Sequence, residues 1–167
     1  MENADVDIAE IVVNAVNDAT VSGSTHLWVT RVPDEPVWVH GDRAKLHQAV
    51  ANLLANARVH TPEGTTVTTA ITAKDSSVVL TVADDGPGIT DDLLPHLFER
   101  FVRADRSRSR QSGNSGLGLA ITASIVEAHG GSIAAGSTAD ATTFTIALPL
   151  PTTAESLRES TMPMYAE

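Results

Sequence analysis

The stretch Thr81–Thr90, TVADDGPGIT, decides how this chain is read. Two aspartates close an apolar run, Gly-Pro-Gly follows at once, and the chain turns hydrophobic again at Ile89. Upstream, Val78, Leu80 and Val82 recur at every second position, the pattern of a strand with one apolar face. By the same alternation Asp84 continues that face. Pro87 presets its φ angle and Gly88 accepts a positive one, so a tight turn must follow. Glycine also lets another group come close to the backbone. An isolated Asp-Asp-Gly most often means a capped turn with solvated acids. An inward-aimed carboxylate, however, requires a donor, because an unpaired buried charge is costly. A ligand amine can supply that donor. The spacing does not fit an EF-hand loop, which needs acids at alternate positions and a glutamate at the twelfth.

Working outward, Val67, Thr69 and Ile71 share one face of a preceding strand, with KDSS (Lys74–Ser77) as the hairpin turn between the two. Before it, GDRAKLHQAVANLLANARVH (Gly41–His60) reads as a long helix. Asp42 is its candidate N-cap, and Leu46, Val50, Leu53, Leu54 and Ala57 form its core stripe. A first helix begins near Asp7, with Ile8, Ile11, Val12, Ala15 and Val16 at helical spacing and Asp5 or Asp7 as cap. LWVTRV and VWVH read as two short strands joined by the turn PDEP. After the opening stretch, DDLLPHLFERF (Asp91–Phe101) reads as a short helix. Residues 102–115 are polar and rich in Arg and Ser, the composition of a mobile loop. The helix GLGLAITASIVEAH follows, closed by Gly130 and Gly131. SIAAGS and TTFTIALPL supply two last strands, and residues 151–167 read as a disordered tail. Hairpins alternating with helices predict an α+β fold: a two-layer α/β sandwich, its mixed, mostly antiparallel sheet covered by helices on one face, over residues 1–150.

The 167 residues, 42% hydrophobic, suit one domain with a sizeable core. No cysteine is present, which excludes disulfides, iron–sulfur clusters and thiolate zinc sites. A formal net charge of -10 argues against nucleic acid as a partner. No apolar run has the roughly 18 residues that cross a bilayer.

Two further features carry chemistry. Asn52 and Asn56, four apart on the long helix, lie one turn apart on one side, away from the core stripe, with Gln48 extending the row. Their amide oxygens suit Mg²⁺, which also takes waters and substrate phosphates; an isolated pair would more often be solvated. GNSGLGLA (Gly113–Ala120) can present bare backbone N–H groups to a phosphate at a helix start. No strand precedes it, so it is not a dinucleotide fingerprint, and it lacks the Gly-Lys-Ser/Thr of a Walker loop. Arg103, Arg106, Arg108 and Arg110 just before it could close over phosphates.

Alone each signal is modest. In the order NLLANA, DDGPGI, FERF, SGLGLAI they resemble the N, G1, F and G2 boxes of the ATP-binding catalytic domain of sensor histidine kinases, with IVEAHGG as the usual continuation. The resemblance spans roughly residues 5–150. It implies the same α/β sandwich, with ATP and Mg²⁺ as cofactors. It makes Asp84 the acceptor of the adenine amino group, with Gly86, Gly88 and Ile89 beside the base. Asn56 ligates Mg²⁺, and Asn52 assists with metal, phosphate or water. Arg103 contacts phosphate, residues 102–115 form the ATP lid, and Ser115, Gly116, Leu117 and Gly118 meet the phosphates.

The N box departs from the family pattern: Val59 occupies the usual basic position, and Arg58 is one residue early, about 100° around the helix. His60 is the candidate replacement. Asn114 stands where many relatives carry glycine. None of the six histidines lies in a phosphoacceptor motif such as Ser-His-Glu-Leu-Arg-Thr-Pro. The expectation is therefore a module that binds Mg-ATP and donates the γ-phosphoryl to a histidine on a helical dimerisation domain outside this chain, for relay to a response-regulator aspartate. The module would be a cytoplasmic, monomeric part of a membrane-anchored, homodimeric kinase, unable to phosphorylate itself. The alternatives are a nucleotide-gated docking module without catalysis and a serine kinase of the anti-sigma type.

Overall fold

The computed structural model describes residues 2–22, 25–98 and 118–151. In chain order these form β1 (Ala4–Asp7), α1 (Ile8–Val21), β2 (Leu27–Arg31), β3 (Trp38–Gly41), α2 (Arg43–His60), β4 (Thr66–Lys74), β5 (Ser77–Asp84), a 3-10 turn (Leu94–His96), α3 (Gly118–Ala128), β6 (Ser132–Thr138) and β7 (Ala141–Pro149). A five-stranded sheet runs β2-β4-β5-β7-β6, and β1 pairs with β3 in a separate two-stranded sheet. The β4–β5, β5–β7 and β7–β6 pairs are antiparallel, while β2 lies parallel to β4.

Each element follows from local chemistry. Asp7 caps α1 by accepting from the Ala9 N–H at 3.0 Å, and Asp42 caps α2 by accepting from the Lys45 N–H at 3.0 Å. Leu46, Val50, Leu53, Leu54 and Ala57 of α2 are all buried, joined by Ala49. They pack on the inward face of the sheet, where Val67 and Ile71 meet Val78, Leu80 and Val82, and where β7 adds Phe144, Ile146 and Leu148. Burial of each large aliphatic side chain contributes about 1.5–3 kcal/mol. α3 ends in a Schellman turn: Gly131 N–H donates to Val126 O, Gly130 N–H to Glu127 O, and Gly130 takes φ +76°.

The structure corrects two expectations. β2 and β3 are not a hairpin; they join different sheets. A parallel pair needs a long crossover, and the path from β2 to β4 through α2 provides one. The expected helix over Asp91–Phe101 is, as far as Phe98, a turn followed by the single 3-10 turn with Pro95 in its first positions. Its apolar side chains still reach the core: Leu97 is buried, and the Phe98 ring meets Phe144 edge-on at 6.1 Å. The expected lid (102–115) and most of the tail lie outside the described residues.

Candidate functional site

At the C-terminal end of β5 the two aspartates part company. Strand alternation turns Asp84 inward, and it is 9% exposed. Its Oδ1 accepts from the Gly86 N–H at 3.0 Å. Among the described residues Oδ2 receives no hydrogen bond. Burial raises the Asp84 pKa above the ordinary carboxylate value, the Gly86 N–H opposes that, the Asp85 charge adds to it, and His26 opposes it. Asp85 faces the other way. Its Oδ1 accepts from the Thr66 N–H at 2.8 Å, while its own N–H donates to Thr66 O at 3.2 Å. It pins the turn to the start of β4.

The turn itself is held from two sides. Gly88 has φ +78°, and a Cβ there would lie 1.9 Å from the carbonyl oxygen of Thr138. Glycine at 88 is thus demanded by the β6–β7 hairpin packed against it. The Ile89 N–H donates to Ser137 Oγ at 2.7 Å, in the same hairpin. On the other side, a Cβ on Gly86 would lie 2.7 Å from Thr61 Cγ2 and 3.1 Å from Asp84 Oδ1. Thr142, 4% exposed, lies opposite Asp84 in the β5–β7 register.

Asn52 and Asn56 are half-buried on α2. Asn52 Nδ2 donates to Gly118 O at 3.2 Å, which ties α2 to the first turn of α3. Thr122 Oγ1 donates to the same carbonyl at 2.9 Å. Asn52 therefore keeps its amide oxygen for other work, and the Asn56 amide has no hydrogen bond among the described residues. No cluster of three or more His, Cys, Asp or Glu capable of holding a metal occurs among the described residues. A divalent ion here would have to be shared with a ligand's oxygens, which suits Mg²⁺ and asparagine carbonyls. His60 closes α2, with desolvation holding its pKa below the ordinary imidazole value. Arg58 is exposed one position before Val59.

Residues 41–152 match the family of histidine kinase-, DNA gyrase B- and HSP90-like ATPases. The chain belongs to this ATPase family. It is 55% identical over 155 residues to the sensor histidine kinase TrcS of Mycobacterium tuberculosis, covering 90% of this chain and 30% of that protein. Among solved structures, the mycobacterial sensor histidine kinase MprB superposes with a TM-score of 0.77 at 30% identity, covering 89% of this chain and 97% of that one. Full-length ShkA, solved in complex with AMPPNP, gives a TM-score of 0.73 at 29% identity, covering 95% of this chain and 33% of that one. This is an ATP-binding catalytic domain of the histidine kinase type, and it spans about a third of the length of a curated relative. Neither the docking-module nor the serine-kinase alternative is favoured by these likenesses.

Within the ATPase domain the structure brings Asp84, Gly86, Gly88 and Ile89 together at one turn, and Asn52 against Gly118. Arg103, Ser115, Gly116 and Leu117 lie outside the described residues. Sequence reasoning missed Ser137, Thr142, Thr61 and His26. Alternation back from Phe144 and Ile146 would have found Thr142 facing inward; the other three act through contacts with no local pattern.

Proposed function

We propose that this domain binds Mg-ATP and donates the γ-phosphoryl to a histidine on a helical dimerisation domain of the same kinase, from which a response-regulator aspartate receives it. The observation that carries the nucleotide site is Asp84: a buried carboxylate with one oxygen satisfied by its own turn and the other open to a donor. The adenine amino group is such a donor. Gly86, Gly88 and Ile89 shape the turn beside the base. Asn56 and Asn52 would hold Mg²⁺ through their amide oxygens, and the ion would neutralise phosphate charge. Arg103, His60 and Ser115–Gly118 contact the phosphates. Phosphoryl transfer asks for positioning and charge neutralisation, and little covalent chemistry from the protein. In this reading the domain is cytoplasmic, monomeric in isolation, and part of a membrane-anchored homodimer. Among the described residues no helix is long and apolar enough to cross a membrane.

Calorimetry with ATP, with and without Mg²⁺, on the wild type and Asp84→Asn tests the site. The wild type binds and the variant loses most of its affinity. Equal binding by the two would remove Asp84 from the site.

A further inference from the structure

We infer that His26 is a positioning residue for the nucleobase end of this site, acting through Thr61. The inference rests on the ATP reading above. His26 immediately precedes β2 and is 9% exposed. Its Nε2 lies 2.7 Å from Thr61 Oγ1. The Thr61 hydroxyl has a single proton, and it donates that proton to Ala57 O in the last turn of α2. Oγ1 must therefore accept from His26, which places the imidazole proton on Nε2. The ring is steadied by Trp28, whose centroid lies 5.8 Å away.

The consequence falls on Gly86. With its hydroxyl held between β2 and α2, Thr61 can turn only its methyl toward the Asp84 turn. That methyl occupies the space where a Cβ on Gly86 would stand, and Gly86 is the residue whose N–H orients Asp84 Oδ1. The neighbouring bonds serve the same end: the Leu27 N–H donates to Thr65 O at 2.9 Å, and Thr65 Oγ1 donates to Pro62 O at 2.6 Å. β2 thus grips the α2–β4 turn twice, and His26 is the side-chain grip nearest the acid. A residue remote in sequence from every nucleotide box therefore sets where the carboxylate and the turn stand when a base arrives.

The test compares ATP with purine riboside triphosphate, which lacks the 6-amino group that Asp84 accepts, by calorimetry on this chain. In the wild type ATP binds more tightly than the analogue. In His26→Ala that advantage shrinks by about three- to tenfold, as expected for one lost hydrogen bond of positioning. His26→Gln, which keeps a donor, restores most of it. Thr61→Val, which keeps the methyl but cannot accept, reproduces the loss, and the double variant His26→Ala/Thr61→Val is no weaker than either single one. Equal losses for both nucleotides would mean a merely structural role and overturn the inference, as would wild-type behaviour of His26→Ala or of Thr61→Val. A wild type that binds no ATP sinks the nucleotide reading itself. A wild type whose binding fails in Asp84→Asn but not in the His26 and Thr61 variants sinks this inference alone.

Discussion

Asp42 and Asp84 are both buried acids at the end of a strand, and they do opposite things. Asp42 follows β3 and has a donor for each oxygen: the Lys45 N–H for Oδ1 and the Glu2 N–H at 2.9 Å for Oδ2. Those bonds hold its pKa below the ordinary value. Even its own N–H is used, donating to His129 Nε2 at 3.0 Å, while His129 Nδ1 donates to Ile125 O. Asp84 ends β5 with one bond and a raised pKa. A carboxylate whose acceptors are all filled from within is a fastener. A carboxylate buried with an acceptor unfilled stores an unmet demand, and a ligand can meet it.

The largest expected effect tests that contrast directly. Asp84→Asn should cost about 1.5–3 kcal/mol of ATP binding, the range of a charge-assisted hydrogen bond, or roughly 10- to 100-fold in affinity. Asp42→Ala should lower thermal stability and leave ATP affinity unchanged; a variant with normal stability but weakened binding would break the comparison. Next comes Gly88→Ala. A Cβ there meets the Thr138 carbonyl at 1.9 Å, at a φ that side chains rarely adopt. We expect a loss of about 1–3 kcal/mol of stability by denaturant unfolding, with ATP affinity falling as well because the hairpin and the Asp84 turn separate. His129→Ala is smaller, about 1 kcal/mol, since it removes one acceptor and one donor from a half-buried corner. It should spare ATP binding, and a matching loss of affinity would show that the Asp42 corner is not merely a fastener.

Much of this was legible in the sequence, for identifiable reasons. The β5 alternation predicted that Asp84 points inward, because period two continues to the last residue of the strand. The caps Asp7 and Asp42 and the α2 stripe were equally readable, since each depends on residues within one or two turns. The short strands were not. β2 and β3 have five and four residues, and they pair with β4 and β1, which are remote in sequence, so a local turn signal between them suggested a hairpin that does not form. β1 was missed for the same reason. Around the candidate site, the sequence singled out Asp84, Gly86 and Asn52, whereas it gave no sign of the contacts made by His26 and Ser137. Their partners Thr61 and Ile89 are 35 and 48 residues away, and no spacing rule reaches that far.

The finest distinction between the two acids is their response to pH. Asp42 has a folded pKa below the ordinary 3.8, so its contribution to stability is present above that value and is lost as pH falls through the lowered one. Asp84 has a folded pKa above 3.8, so the sign reverses. Its contribution to the nucleotide-free fold is full below 3.8 and is lost as pH rises through the raised value, above which the ionised carboxylate is a burden on the empty site. In the proposed site ATP would change that balance, because an adenine amine donating to Oδ2 would favour the ionised form. On acidification Asp84 therefore takes its proton before Asp42 does, and ATP affinity weakens while the fold is still intact. Calorimetric affinity and melting temperature followed together from neutral to mildly acidic pH should separate, affinity falling first. In Asp84→Asn the residual binding loses that slope, and the empty domain at neutral pH is no less stable than the wild type. If affinity and stability instead fall together in the wild type, the two acids are one kind of residue after all, and the open oxygen of Asp84 is not what receives the base.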